Sequence, residues 1–339
     1  MTSATVPLPQ GADFERIPDF EDVEVAAARL KGQAVVTPLL EYPELNERLG
    51  ARLLIKPENL QRSGSFKFRG AYNRVSAIPE DVRARGVIAF SSGNHAQGVA
   101  AAAKIHGIPA TIVMPSDAPR IKIGNTQAYG AKVVTYDRFT EDREAIAAAI
   151  SAETGATLIK PYDDTLIIAG QGTCGLEIAQ QARAAGADLD AVLICCGGGG
   201  LSSGSALAIK TLSPRTEVYA VEPETFDDTR RSLQSGTRVG NDPAARSICD
   251  ALLAMMPGKM TFEMNQRLLA GALAVSDEEV LHAMAFAFRA LKLVVEPGGA
   301  VCLAAVLSGK IPVAGRSLAI TLSGGNVDPE RVMEALEIG

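Results

Sequence analysis

Short, uninterrupted apolar runs rich in β-branched residues recur along this chain, separated by helical patterns. That alternation constrains the fold more than any other feature. The runs are ARLLI (51–55), GVIAF (86–90), ATIVM (110–114), AKVVTY (131–136), ATLI (156–159), AVLICC (191–196), EVYAVE (217–222) and RSLAITL (316–322). A strand with one wet face alternates apolar and polar residues, whereas a strand apolar at every position is covered on both faces. Such strands alternating with helices predict an α/β chain on a mostly parallel, helix-covered sheet. The stretch 86–160 holds four short strands and three intervening helices, enough for a compact unit of its own. Residues 1–20, with Pro7, Pro9 and Pro18, read as a loose arm. A length of 339 residues fits one large domain or two ordinary ones.

Charge and composition narrow the partners. Lys and Arg number 33 against 39 Asp and Glu, a formal charge of −6, which argues against nucleic acid or an anionic membrane as partner. The longest uncharged stretch, Ala191 to Ile209, holds four consecutive glycines and three serines and reads as strand, loop and helix rather than a membrane span. The first residues, MTSATVPLPQ, show neither a basic nor a long apolar region, so the expectation is a cytosolic protein without a secretory signal. The five cysteines (Cys174, Cys195, Cys196, Cys249, Cys302) form no C-x-x-C pair and read as small buried hydrophobes. The three histidines stand at no ligand spacing, which disfavours zinc. His95 reads as a packed loop residue.

Four loops carry the chemistry. In RSGSFKFRGA (62–71), Lys67 lies near a helix N-terminus between Phe66 and Phe68. The helix dipole and the apolar neighbours both disfavour its charged form, as a Schiff-base lysine requires; an exposed lysine at a turn is the competing reading. In FSSGNHAQG (90–98), Asn94 or a serine can cap the following helix, whose free N–H groups suit a carboxylate or phosphate. In CCGGGGLSSG (195–204), four glycines between strand and helix let backbone N–H groups converge on an anion. Neither G-x-G-x-x-G nor G-x-x-x-x-G-K-[ST] fits there, so the loop reads as a phosphate cradle outside the nucleotide fingerprints. TLSGGN (321–326) is another strand end followed by small polar residues. Ligands of open α/β sheets bind at the carboxyl ends of strands, so the four loops predict one composite site.

At these residues the chain resembles the fold type II pyridoxal-phosphate enzymes, specifically the threonine dehydratase and serine racemase family. The S-x-K-x-R-G motif, SSGNHAQG, GGGGL and SGGN occur in the family's order over about 30–339. The resemblance implies two open sheets: a large cofactor-binding domain from 21–85 and 161–339, and a smaller mobile domain from 86–160. It implies that Lys67 holds the cofactor covalently with Phe66 beside the ring. Asn94 would bond the ring hydroxyl, Gly197, Gly198, Gly199, Gly200 and Leu201 would wrap the phosphate, and Ser323 would face the pyridine nitrogen. Lys160-Pro161-Tyr162 departs from the His-Pro-Asn frequent in serine racemases, so Tyr162 is not assigned to the cofactor. The chain ends soon after SGGN, so no C-terminal regulatory domain, and no isoleucine feedback through one, is expected.

The chemistry so implied is β-elimination of a hydroxyamino acid, L-threonine or L-serine, to a 2-oxo acid and ammonia. The alternatives are a 3-hydroxyaspartate ammonia-lyase or a serine racemase with side elimination, and more distantly a non-catalytic anion- or nucleotide-binding regulator. Ser92 is the second candidate catalytic residue: in racemase-like relatives that position faces the cofactor opposite the lysine, where a hydroxyl can return a proton with inversion. In VEPETFDD (221–228), Glu222 ends a strand and Asp228 lies six residues on, an all-oxygen pattern for Mg²⁺, Ca²⁺ or Mn²⁺. By resemblance the ligands are Glu222, the Phe226 carbonyl and Asp228. Arg143 can reach a second substrate carboxylate, although a solvated helix charge is the plainer reading. A homodimer is the family expectation.

Overall fold

The structure, a computed structural model, describes residues 15–91 and 93–338; the expected arm falls mostly outside the described residues, and so does Ser92. Ten strands form two sheets. They are β1 (Leu40–Glu41), β2 (Arg52–Pro57), β3 (Val87–Phe90), β4 (Ala110–Pro115), β5 (Lys132–Tyr136), β6 (Thr157–Leu158), β7 (Ala191–Cys195), β8 (Glu217–Pro223), β9 (Gly271–Val275) and β10 (Ser317–Leu322). The larger sheet runs β1-β2-β10-β7-β8-β9 and the smaller runs β5-β4-β3-β6. Every pairing is parallel except that of β1 with β2. The eight apolar runs all become strands; β2, β3, β7, β8 and β10 are buried almost throughout, whereas the edge strand β5 keeps Lys132 and Thr135 exposed and β6 is half-buried.

The helix Lys67–Ser76 follows β2, and the helix Gly200–Leu212 follows β7. Leu53, Ile55, Leu193, Ile194, Val218 and Ile320 form the larger sheet's core with the helix Pro297–Leu307, all at most 1% exposed. Each such side chain contributes about 1.5–3 kcal/mol through burial, so Ile320→Ala should cost roughly 2–5 kcal/mol. A second core, including Phe68, Val99, Ile112 and Met114, joins the helices Lys67–Ser76 and Asn94–His106 to the smaller sheet. All five cysteines are free and buried. Among the described residues no helix is long and apolar enough to cross a membrane.

Candidate active site

The carboxyl ends of β3, β7 and β10 open onto one cavity. Its lining includes Phe66, Lys67, Asn94, Gly197–Leu201 and Ser323, so the four loops do converge. Lys67 is the first residue of its helix, and Phe66, at the N-cap position, offers no capping side chain. Its Nζ donates to the Pro161 carbonyl at 3.1 Å and lies 5.3 Å from the centre of the Phe66 ring. No carboxylate pairs with it among the described residues, and burial of the amine brings its pKa down to about 8.

The glycine loop is shaped by what a side chain would meet. Gly199 sits at φ +94°, and a Cβ on Gly198 would lie 2.1 Å from the Tyr162 ring. The loop presents backbone to the cavity, and the first N–H groups of the helix it opens have no carbonyl one turn earlier to receive them. That is a cradle for an anion such as a phosphate, at the helix start that faces the cavity. Ser323, 4% exposed, has its hydroxyl 3.5 Å from the Gly298 carbonyl. It also hydrogen-bonds the thiol of Cys195, which burial keeps protonated with a pKa of about 12.

Asn94 differs from expectation. The helix begins with Gly93 as N-cap, so Asn94 is its first residue and does not cap it. The Asn94 amide instead donates to Glu296, while its oxygen accepts from Asn326 Nδ2 at 2.9 Å. His95 is a packed residue as expected, although it lies in the first turn of the helix Asn94–His106 and not in a loop. Its Nε2 lies 3.0 Å from the Ile159 carbonyl, and burial, then Lys67, lower its pKa to about 3. The imidazole is neutral, and its buried Nδ1 has no hydrogen-bond partner among the described residues.

Two wall elements were not assigned to the cavity by sequence. Pro161 and Tyr162 close one side, and residues 250–254 close another. Arg143, at the start of the helix Arg143–Thr154, also lines the cavity, with its guanidinium 5.5 Å from the centre of the Phe90 ring. The solvated-charge reading of Arg143 therefore gives way to a half-buried cation facing the site.

The acidic segment lies apart from this cavity lining. Glu222, fully buried at the end of β8, accepts the N–H groups of Thr229 at 3.0 Å and Arg230 at 2.9 Å. Phe226 lies in the turn between, and Asp228 accepts from Asn241 at 2.7 Å through one oxygen. The other Asp228 oxygen is buried without a hydrogen-bond partner among the described residues. Burial, then the neighbouring Asp228, raises Glu222 to about 8, and burial raises Asp228 to about 7. Two carboxylates with a bare oxygen are compatible with a cation, although among the described residues no three His, Cys, Asp or Glu side chains gather.

Comparison with known proteins fits this geometry. The family described as "Pyridoxal-phosphate dependent enzyme" matches residues 30–324. This chain belongs to that family. It is 45% identical to the L-threo-3-hydroxyaspartate ammonia-lyase of Saccharomyces cerevisiae, over 93% of this chain and 95% of that one. It is 43% identical to the serine racemase of Schizosaccharomyces pombe, over 93% and 96% of the two chains. Maize serine racemase superposes with a TM-score of 0.88 at 35% identity, covering 95% of this chain and 98% of that structure. The lone lysine, the glycine cradle and the hydroxyl at the end of β10 suit the family's cofactor in amine, phosphate and ring partner respectively.

Proposed function

We propose that this enzyme is an ammonia-lyase that removes the β-hydroxyl of a hydroxyamino acid and releases a 2-oxo acid and ammonia. The observation that carries this reading is Lys67: a buried primary amine without a carboxylate partner among the described residues, lining the same cavity as the glycine cradle. Lys67 would hold pyridoxal phosphate covalently, with Phe66 beside the ring, Gly197–Leu201 around the phosphate, Asn94 toward the ring hydroxyl and Ser323 toward the ring nitrogen. When bound, the cofactor supplies an electron sink for the negative charge left on the substrate Cα. With a pKa of about 8, the Lys67 amine is partly unprotonated near neutrality and can take the Cα proton, as a general base must. His95 stays neutral beside it and adds no competing charge. Ser323 is a neutral partner and does not enforce protonation of the ring nitrogen as a carboxylate would. That favours fast loss of the hydroxyl over slower side reactions.

Arg143 supports a narrower reading within this chemistry. A half-buried guanidinium on the cavity wall offers a planar fork for a second carboxylate, which 3-hydroxyaspartate has and threonine and serine lack. The S. cerevisiae relative bears that substrate in its name. A panel of L-threonine, L-serine and 3-hydroxyaspartate, assayed for 2-oxo acid, ammonia and product enantiomer, tests both readings. No 2-oxo acid from any of the three would refute the lyase reading. A preference for 3-hydroxyaspartate that survives Arg143→Ala would refute the role of Arg143.

Ser92 is proposed as the proton donor for a minor racemase activity. Ser92→Ala should abolish formation of D-serine while sparing elimination. Loss of both alike would make it structural. A divalent cation of the Mg²⁺ class is proposed at Glu222, Phe226 and Asp228, supported by the bare Asp228 oxygen; an unchanged melting temperature with EDTA would refute it. Residues 86–160 are proposed as the smaller mobile domain, in a cytosolic homodimer.

A further inference from the structure

The helix Arg120–Ala128, which joins β4 to β5 of the smaller sheet, carries a lysine that the proposed chemistry does not use. Lys122 is wholly buried, yet its ammonium pairs with two carboxylates from outside its own sheet: Asp250 at 2.6 Å and Glu296 at 2.8 Å. Asp250 lies in the loop that walls the cavity, and Glu296 is the N-cap residue of the helix Pro297–Leu307 behind the larger sheet. The Lys122 stem runs against Gly93: a Cβ there would meet Lys122 Cδ at 2.1 Å, so the approach requires glycine. Opposite the ammonium, Glu296 accepts from the Asn94 amide, and Asn94 accepts from Asn326, which also bonds the Ser63 carbonyl at 2.9 Å.

The start of the same helix is finished across the same boundary. Pro119 precedes it and offers no capping side chain. The N–H groups of Arg120 and Ile121 are received instead by the carboxylate of Asp328, at 3.2 and 3.0 Å, from the segment following β10. A helix normally finds its cap within a few residues; this one takes it from the neighbouring unit, more than two hundred residues along the chain. The cap and the two ion pairs of the ammonium therefore both exist only while the smaller sheet is docked.

We propose that Lys122 is a positioning residue that makes the orientation of Asn94 conditional on docking of the smaller sheet. Docked, Lys122 neutralises Glu296 and holds its carboxylate where the Asn94 amide must donate to it, which leaves the Asn94 oxygen directed at Asn326. Undocked, Lys122 and Asn94, both carried by the smaller unit, leave Glu296 and Asn326 together, and the residue assigned to the ring hydroxyl loses its fixed partners. Removing one member of a buried ion pair strands the other charge, so the coupling runs both ways. The inference rests on the proposed role of Asn94 only where the cofactor is concerned; the docking part concerns this chain alone.

The test compares wild type, Lys122→Arg, Lys122→Met and the double variant Lys122→Met/Glu296→Gln, which leaves no unpaired charge at Glu296. Amide hydrogen exchange is followed in the full-length apoprotein, and pyridoxal phosphate affinity by titration. In Lys122→Met, exchange should rise at least tenfold in 120–128 and in the first turn of Asn94–His106, with Gly200–Leu212 unchanged. The Kd for pyridoxal phosphate should rise at least tenfold. Lys122→Arg should lie between, and the double variant should remain loosened. Exchange within twofold of wild type at both segments would overturn the proposal. So would a rise spread evenly over the chain, or failure of both Met variants to fold, since either would give Lys122 a role in stability alone. Loosened exchange with unchanged cofactor affinity would refute the link to Asn94 and leave the lyase reading standing.

Discussion

Two cations stand two residues apart on the helix Lys67–Ser76 and are treated in opposite ways. Arg69 is wholly buried between Glu58, at 2.7 Å, and Glu177, also at 2.7 Å, and Glu177 is shared with the buried ammonium of Lys56 at 2.6 Å. Two positive and two negative groups close the cluster, and the pairing holds the guanidinium charged, with its pKa pushed above the usual value despite burial. Lys67 faces the other way, into the cavity, with one carbonyl for company, and its pKa falls. Burial alone lowers the affinity of a cation for its proton, and only a paired carboxylate reverses that. The paired cation fixes the helix, and the unpaired one is left free to react.

The largest effect should come from the unpaired side. Lys67→Ala should lower elimination by at least about 10³-fold, the scale of a lost proton-transfer group, while the melting curve stays close to wild type. Near-normal turnover by this variant would remove the distinction between the two cations. On the paired side, Glu58→Gln should destabilise the fold by roughly 3–5 kcal/mol, because Arg69 loses a buried partner. Urea unfolding measures it, and a loss below about 1 kcal/mol would mean that the cluster does not anchor the helix. Ser323→Asp should slow elimination and raise abortive transamination on the order of tenfold, the equivalent of about one pKa unit at the ring nitrogen. An unchanged product ratio would place Ser323 away from the ring.

A further effect is a pH dependence. Since Lys67 has a pKa of about 8 in the folded chain against 10.5 for a free lysine, the unfolded chain binds the extra proton between those values. Stability of the apoprotein should therefore rise with pH across that window, the sign opposite to that of a lysine held by a carboxylate. Covalent capture of pyridoxal phosphate by the apoprotein should likewise accelerate through about pH 8. A capture rate still climbing steeply at pH 10 would show that Lys67 is not depressed.

The reactive side was legible because its signals are local. A lysine between two phenylalanines, four glycines after an apolar strand, and Ser-Gly-Gly-Asn after another each mark a strand end within a few residues. The sheets were legible for the same reason, apart from β1, which is two residues long, and β9, a mostly half-buried edge strand of sequence GALAV. What escaped is made of long-range contacts between irregular segments. Pro161 accepts from a lysine 94 residues away, and Asp250 reaches Lys122 across 128. Asn94 carried a plausible local role as a cap, and a partner 202 residues distant took its amide instead. Arg143 read as a surface charge because nothing near it in sequence shows the Phe90 ring over which it lies.

The account turns on one lysine being different from the other buried ones. Reduction of the protein loaded with pyridoxal phosphate by borohydride, followed by peptide mapping, tests this directly, since only an amine joined to the cofactor through a carbon–nitrogen double bond retains a pyridoxyl group. The account predicts one stoichiometric pyridoxyl group on Lys67 and none on Lys56 or Lys122, whose ammonium groups are held by carboxylates. A pyridoxyl group on another lysine, or none at all, would contradict it.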